Sequence, residues 1–384
     1  MMLSILPLLG QDTLAVAEEE KTPLLQVNGY LKQLGSINFD NQLQNAQYDN
    51  LIHNRLNSVW TFSPKLQLNA DLRTRIFNGY TVQNNPLYAD LLDQDLAWQD
   101  MSWVLHNGEN TIIHSTIDRL YLSYLAEKWQ LSVGRQRINW GRTFVWNPND
   151  LFNTYSYLDF DYEERPGADA LRFQYFMGYA SGFEIAYAPG DTWDESVAAL
   201  MLKLNRWNYD FQILLANYHE ELAFGGAWAG DLWGIGFKGE MSYFYPRRDL
   251  PNKPQNGYLN ASVSLDYAFA NGLYLQGEFL YNGAWQSQLN PAVLLLEPLP
   301  ANNLFPARTV GFLSVSYPVH PLLTLSYGSI FSPNAQMYIQ VPSLTFSLRN
   351  NLDLYLVAQL LRNPSLEALS PMVNAGFFRL KWSF

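Results

Sequence analysis

The chain has 384 residues, no cysteine and a formal net charge of −11 at pH 7. Charged residues make up only 15% of it, below the roughly 25% of an average soluble protein, and aromatic residues make up another 15%. The missing cysteines exclude a disulfide framework and thiolate chemistry, and the negative charge argues against a nucleic-acid partner. No run of about 20 apolar residues is present, which excludes a transmembrane helix.

The first residues are predicted to be the end of a secretory signal peptide. Leu3 to Leu9 form a short apolar stretch, and Ala15-Val16-Ala17 resembles a cleavage site before Glu18. The basic segment that opens such a signal is missing, so we expect the true start to lie upstream. We therefore assign residues 1–17 to a remnant of the signal and residues 18–384 to one β-barrel domain.

A period of two in the apolar side chains is the main structural signal. In residues 66–73, apolar side chains alternate with Gln67, Asn69, Asp71 and Arg73. The same alternation recurs in residues 209–216, 233–243, 273–282 and 352–359. Segments of this length suit a tilted strand that crosses a membrane, with one face toward lipid and the other toward a wet lumen. The pattern predicts an all-β, antiparallel transmembrane barrel.

The connections between these segments alternate in length. Short turns are predicted at Ser63-Pro64, Glu127-Lys128, Tyr179-Ala180-Ser181, Arg206-Trp207, near Gly230-Asp231, and at Ala270-Asn271, His320-Pro321 and Asn350-Asn351. Longer polar loops are predicted at 36–50, 77–113, 138–167, 246–256 and 285–307. In outer-membrane barrels the short turns are periplasmic. We therefore expect about 18 strands, with 16 as the alternative, both termini in the periplasm, and a short helix at residues 90–98.

The last strand ends on an aromatic residue. Phe378, Leu380, Trp382 and Phe384 alternate with polar or charged residues up to the carboxylate. Such a strand suits the closing strand of a barrel, and it resembles the C-terminal signal that the barrel-assembly machinery reads in Gram-negative bacteria. The alternative is the edge strand of a soluble sheet.

An unusual stretch begins with Gly134-Arg135-Gln136 and continues through Asn147-Pro148 to Arg165-Pro166-Gly167. It resembles the porin-like outer-membrane channels grouped around the alginate-export channel. The matching residues are Gly134, Arg135, Gln136, Trp140, Gly141, Asn147, Pro148, Asp150, Arg165, Pro166 and Gly167. The resemblance implies a channel whose loop at 138–167 folds into the lumen and constricts it, and it does not imply alginate as the solute.

Candidate pore residues follow from strict alternation along the strands and from the charged loop. They are Arg73, Arg75, Arg119, Arg135, Arg137, Trp140, Arg142, Asp159, Asp161, Glu163, Glu164, Arg165, Arg172, Glu240, Asp266 and Glu278. We expect Arg73, Arg75, Arg119 and Arg172 to form a positive wall opposite a negative one made by Glu240, Asp266 and Glu278. Alternation alone would point Arg135 outward, so we expect either a bulge at Gly134 or a position above the hydrocarbon.

These patterns predict a passive outer-membrane channel for small to medium polar solutes. Anionic solutes are favoured because the rigid fork of arginine suits carboxylates and phosphates. Two alternatives stay open: an export or assembly barrel for an anionic polysaccharide, and an outer-membrane hydrolase. The hydrolase is disfavoured because His114 and Ser115 are adjacent on a strand and should face opposite sides. The sequence calls for no metal or cofactor, and its expected partners are lipid, the assembly machinery and solute.

Overall fold

The computed structural model describes residues 23–95, 97–153, 166–248, 254–284, 299–369 and 372–384. The predicted signal-peptide remnant lies outside them. The strands are β1 Leu25–Phe39, β2 Ala46–Ser63, β3 Leu66–Gly79, β4 Ser102–Asn107, β5 Thr111–Leu125, β6 Trp129–Gln136, β7 Ala168–Phe176, β8 Gly182–Ala188, β9 Val197–Arg206, β10 Tyr209–Tyr218, β11 Glu221–Leu232, β12 Ile235–Pro246, β13 Tyr258–Ala268, β14 Tyr274–Asn282, β15 Thr309–His320, β16 Leu323–Ser332, β17 Met337–Arg349, β18 Leu352–Arg362 and β19 Asn374–Ser383. Short helices are α1 Tyr80–Asn84, α2 Tyr88–Leu92 and α3 Pro364–Leu369.

The strands close into an antiparallel barrel. The last strand, β19, pairs with both β18 and β1, and the backbone N–H of Phe384 donates to the carbonyl of Gly29 at 3.0 Å. Of the 19 strands in the sheet, β4 lies beside part of β5 and adds no position around the wall, which therefore has 19 − 1 = 18 strands. The predicted fold class and strand number are confirmed.

Two strands share one edge of β5. Residues 112–116 of β5 pair with β4, whereas residues 120–125 of the same strand pair with β6. The chain leaves the wall after Gln136, at the end of β6, and β4 continues the wall beyond that point. This change of pairing partner along β5, from β6 to β4, was not predicted from the sequence.

The short turns and both described chain ends lie at the same end of the barrel, as predicted. One predicted turn is displaced: β11 continues to Leu232, and the turn falls at Trp233 and Gly234, whose φ angles are 57° and 87°. Two consecutive positive φ angles give the tight hairpin that matches strand twist. The opposite end also carries connections that were not predicted, at 189–196, 219–220, 333–336 and 363–373. The predicted helix at 90–98 was placed wrongly, because α2 ends at Leu92.

The two faces of the wall differ in chemistry. Exposed apolar side chains such as Leu56, Leu72, Met241 and Phe279 alternate with buried polar ones along each strand. On β19, Phe378 and Trp382 are exposed on the apolar face and Leu380 shares their parity, and Phe384, directly after the strand, is also exposed. An exposed apolar band around a closed wall is what a membrane-spanning barrel presents to lipid. No helix in the described ranges is long and apolar enough to span a bilayer.

Candidate functional site: segments folded against the inner wall

Residues 137–153, which follow β6, fold against the inner face of the barrel. Ile138 and Trp140 are buried, whereas Arg137 and Asn139 between them are exposed, so this segment alternates like a strand laid on the wall. The indole Nε1 of Trp140 donates to Glu184 on β8 at 3.0 Å. The backbone N–H of Ile138 donates to the side-chain oxygen of Asn153 at 3.0 Å, which ties together the two ends of the segment.

Two wall carboxylates hold the middle of this segment. Glu278 on β14 accepts backbone N–H groups from Phe144, Val145 and Trp146 at 2.9, 3.0 and 2.8 Å. Glu240 on β12 accepts the backbone N–H groups of Arg142, of Thr143 at 2.6 Å and of Asn149 at 3.2 Å. Both carboxylates are almost fully buried. The expectation that they form an open negative wall was therefore wrong, because the segment covers them and its amides satisfy their oxygens.

Apolar contacts add to this anchoring. Val145 and Trp146 are buried in a cluster with inward side chains of β14 to β18, including Leu280 and Phe312. Trp146 also meets Phe305 edge to face, with ring centroids 5.9 Å apart. Burial of two large side chains is worth roughly 1.5–3 kcal/mol each. The segment is thus held both by apolar burial and by charge-assisted hydrogen bonds.

A second segment, between β3 and β4, folds onto a different part of the inner wall. Val82 of α1 and Ala89 of α2 are buried against an apolar row. The row consists of Leu34, Leu51, Phe77 and Ile112, which stand opposite one another on β1, β2, β3 and β5. A long polar loop with a short helix was predicted here, but its position inside the barrel was not.

Below that apolar row lies a basic row. Pairing register places Lys381, Lys32, His53, Arg75 and His114 side by side across β19, β1, β2, β3 and β5. Arg55 and Arg73 stand directly opposite each other in the adjacent inward row. Lys32, His53, Arg55, Arg379 and Lys381 were missed in the sequence analysis. Part of the signal was present, because His53 and Arg55, like Arg379 and Lys381, are two residues apart and share one face of a strand, whereas Lys32 has no basic residue at that spacing.

A bulge on β5 completes this wall. Asp71 pairs with Arg119 and Leu72 with Ile117, which leaves Asp118 as an extra residue. The Asp118 carboxylate is 2% exposed and forms an ion pair with the Arg55 guanidinium. It also lies 3.2 Å from the Arg73 guanidinium. Arg55 also contacts Asp71 at 3.0 Å, and the Arg119 guanidinium donates to the Asp118 carbonyl at 2.7 Å. Of the predicted inward arginines, Arg73 therefore joins an ion-pair network around Asp118, and Arg119 is hydrogen-bonded to the backbone of the same bulge.

Other predicted residues lie between these two regions. Arg172 on β7 contacts Glu184 at 2.6 Å, and Lys203 on β9 contacts the same carboxylate. On β12 and β13, Lys238 lies 3.6 Å from Asp266 and its ammonium is 3.8 Å from the centre of the Phe144 ring. Asp266 therefore has a cation beside it. The structure brings Trp140, Arg172 and Glu184 together at one place.

Arg135 does not line the lumen as the other arginines do. Its pairing partners are Leu120 and Asp169, and its guanidinium lies 3% exposed between Asp95 and Asp169. The register of β6 with β5 and β7 is regular, so the expected bulge in β6 is absent from this described strand. Gly134 instead has a φ of 116°, a backbone conformation that favours glycine.

Five predicted pore residues lie outside the described residues. They are Asp159, Asp161, Glu163, Glu164 and Arg165.

The adjacent pair His114 and Ser115 is arranged as expected on a strand. His114 Nδ1 lies 3.3 Å from Arg75 and faces inward, whereas the Ser115 hydroxyl contacts Thr74 at 2.8 Å. They share no site, so this pair cannot act as nucleophile and base. Within the described ranges, no group of three or more His, Asp or Glu side chains is placed to hold a metal ion.

Comparison with known proteins gives a fold match without a sequence match. No family model and no curated protein match the sequence. Among solved structures, the chain is similar to Acinetobacter baumannii OccAB4, with a TM-score of 0.57 and 9% identity over 95% of this chain and 99% of that one. Pseudomonas aeruginosa OccK5 (OpdH) gives the same TM-score of 0.57 and 9% identity over 94% of this chain and 98% of that one.

Pseudomonas aeruginosa OpdK, solved with vanillate, gives a TM-score of 0.53 and 9% identity over 94% of this chain and 98% of that one. At such identities the likeness concerns the fold. The resemblance to the alginate-export group is not confirmed and stays a prediction. The chain is a closed 18-stranded barrel with the fold of bacterial outer-membrane porins.

Proposed function

We propose that this protein is an outer-membrane channel through which small to medium polar solutes diffuse passively. The observation that carries the proposal is the seating of residues 137–153 inside a closed wall whose inner face carries many charged and polar side chains. A segment that is held against the inner wall narrows the lumen to a fixed width. That width determines which solutes pass. In this proposal the predicted constricting loop acts together with the second in-folded segment.

We further propose a preference for anions. The exposed side of residues 137–142 carries Arg137, and Arg142 is half-buried beside it. On β19 to β5, the half-buried Arg75 and Lys381 of the basic row are the second source of positive potential. The buried carboxylates Glu240 and Glu278 are covered by backbone amides and so contribute little to the open lumen. Cations on the constriction itself favour carboxylate-bearing solutes over cationic ones.

The two alternatives differ from a passive channel in what they require. An exporter of an anionic polysaccharide would share the cationic constriction but would need periplasmic partners and would conduct little by itself. A hydrolase would need a nucleophile and base in contact, and the pair that the sequence suggested lies on opposite faces of β5. The passive channel requires neither a partner nor a catalytic pair.

The test is conductance of the refolded protein in a planar bilayer, with the reversal potential measured in a salt gradient. We expect stable steps and anion preference. Replacing both Arg137 and Arg142 by Glu should move the reversal potential toward cation preference, whereas Arg349→Glu, near a periplasmic turn, should leave it almost unchanged. Stable steps with cation preference in the unaltered protein would remove the anion proposal and keep the channel. The absence of steps from folded protein would favour the exporter or the enzyme.

We also propose that β19 carries the assembly signal and that the mature domain follows the signal remnant. The closing position of β19 and the exposed aromatic face of Phe378, Trp382 and Phe384 support this. Replacing Phe384 by Ser should lower the amount of inserted barrel in cells without lowering synthesis, measured by membrane fractionation. Normal membrane levels of that variant would count against the signal.

A further inference from the structure

Arg135 makes an unusual set of contacts for a wall residue. Its Nε and Nη2 donate to the two carboxylate oxygens of Asp169, each at 3.0 Å, and its Nη1 donates to Asp95 at 2.6 Å. It also donates to the backbone carbonyls of Gln99 and, at 3.3 Å, of Ile117. Every donor nitrogen of the guanidinium is thus used, and the four acceptor residues come from three separate parts of the chain: the segment before β4, β5 and β7.

These four acceptors surround the point where β4 takes over from β6. The carbonyl of Ile117 lies between the part of β5 that pairs with β4 and the part that pairs with β6. The N–H of Ile117 donates to Met101 at 3.0 Å, so the β4 ladder reaches down to the same residue. A wall with one strand ending and another beginning has unpaired backbone groups at the junction, and in a membrane such groups are costly.

The same junction is where both in-folded segments join the wall. Asp95 and Gln99 belong to the segment that carries α1 and α2, whereas the segment 137–153 starts two residues after Arg135. Asp169, which also accepts the backbone N–H of Gln99 at 2.8 Å, lies near the start of β7, where the chain returns to the wall. The Arg135 guanidinium therefore lies where the first segment ends and the second begins.

We propose that Arg135 is the positioning residue that couples the two in-folded segments and seals the wall between β4 and β6. This inference rests on the proposed channel function only for its electrical readout. Arginine is required because its planar fork reaches two carboxylates and two carbonyls at once, whereas a lysine ammonium has three donors and no such geometry. A positioning role also explains why Gly134, with its φ of 116°, precedes this residue.

The experiment uses the full chain, which contains no cysteine. A single cysteine at Ser102, a buried residue at the start of β4, reports opening of the junction through its labelling by a membrane-impermeant maleimide. The test variants are Arg135→Met and Arg135→Lys, and the matched control is Lys128→Met, which removes an exposed cation from the turn before β6, away from the constriction. Labelling rate and open-channel current noise are measured for each in bilayers or vesicles.

We expect Arg135→Met to speed labelling by roughly tenfold or more and to raise current noise, because removing one partner of a buried ion pair destabilises its surroundings locally. Arg135→Lys should show the same faster labelling and higher noise, and Lys128→Met should label at the rate of the unaltered protein. Equal labelling and noise in the Arg135→Met and Lys128→Met proteins would overturn the proposal.

If Arg135→Met fails to insert, Asp95→Asn removes one partner and keeps the Asp169 pair, and unchanged labelling in that variant would also overturn the proposal. If the unaltered protein is folded but shows no conductance steps, the channel proposal is rejected. The labelling difference would still decide the role of Arg135.

Discussion

Two regions of the inner wall bury charged side chains, and they neutralise them differently. On β2, β3 and β5, the arginines Arg55 and Arg73 share the carboxylate of Asp118. On β12 and β14, Glu240 and Glu278 have backbone amides of the in-folded segment as partners. The first region is held by opposite formal charges within the wall, whereas the second is completed only when residues 142–149 are seated on it.

Because of this difference, mutations in the first region should change the stability of the wall, and mutations in the second should change the position of the in-folded segment. Removing a charge from the ion-pair network leaves another buried charge without its partner, which is expensive. Removing a carboxylate from the second region leaves neutral N–H groups, which cost less and can turn toward water once the segment moves. The β2–β5 region should therefore control unfolding, and the β12–β14 region should control the width of the lumen.

The largest expected effect is that of Asp118→Asn. Two buried guanidinium groups lose a shared counter-charge, so the free energy of unfolding should fall by about 3–5 kcal/mol. The measurement is a urea titration of folding in detergent or vesicles. Asp353→Asn is the matched control, since Asp353 is a half-buried carboxylate beside Lys381 near the periplasmic rim and should matter little. A loss as small as that of the control would break the distinction between the two regions.

An intermediate effect is expected for Glu278→Gln. The amide keeps one oxygen but places an NH₂ group against backbone donors, so we expect a loss of roughly 1–3 kcal/mol in the free energy of unfolding. Single-channel current should become larger or noisier, because Phe144 to Trp146 lose their anchor. Asp266→Asn on the neighbouring strand is the control, as Asp266 pairs with Lys238. If neither the single-channel current nor the midpoint of urea unfolding changed, apolar contacts alone would hold the segment.

The smallest expected effect is that of Ser262→Ala. The Ser262 hydroxyl donates to Glu278 at 2.8 Å from the wall side, so its removal takes away one hydrogen bond without touching the segment. The free energy of unfolding should fall by about 1 kcal/mol and the conductance should stay the same. A change in conductance as large as that of Glu278→Gln would mean that the orientation of this carboxylate, and not its hydrogen bonds to the segment, sets the width.

Much of the fold follows from local pattern. The alternation of Leu66, Leu68 and Leu72 with polar residues predicted β3, and the alternation around Phe378 and Trp382 predicted the closing strand. Both predictions hold because side chains on a strand must alternate between lipid and interior, whatever the neighbouring strands are. The turn expected near Gly230 failed because the backbone of β11 continues to Leu232, and alternation is silent about where a strand ends.

The candidate site could be predicted only in part. The stretch from Arg135 to Asp150 stood out as a loop of mixed charge and aromatic residues that should fold inward. Its partners could not be found, since Glu240 and Glu278 lie at least 91 and 132 residues beyond their contacts in this stretch and look like ordinary lumen carboxylates. The inward fold of residues 80–92 was also hidden, because short helices leave a weak periodic signal.

The sequence by itself determined the period, the polarity of the two faces and the side of the short turns, and it limited the number of strands to about 18 or 16. These depend on contacts between adjacent residues and on the demand that every backbone group in lipid be paired. Only the tertiary structure decided that Arg135 lies within the wall, that Asp118 is an extra residue in β5, and that two carboxylates hold a loop. Those outcomes depend on which distant segments meet across the barrel, and no local pattern specifies that meeting.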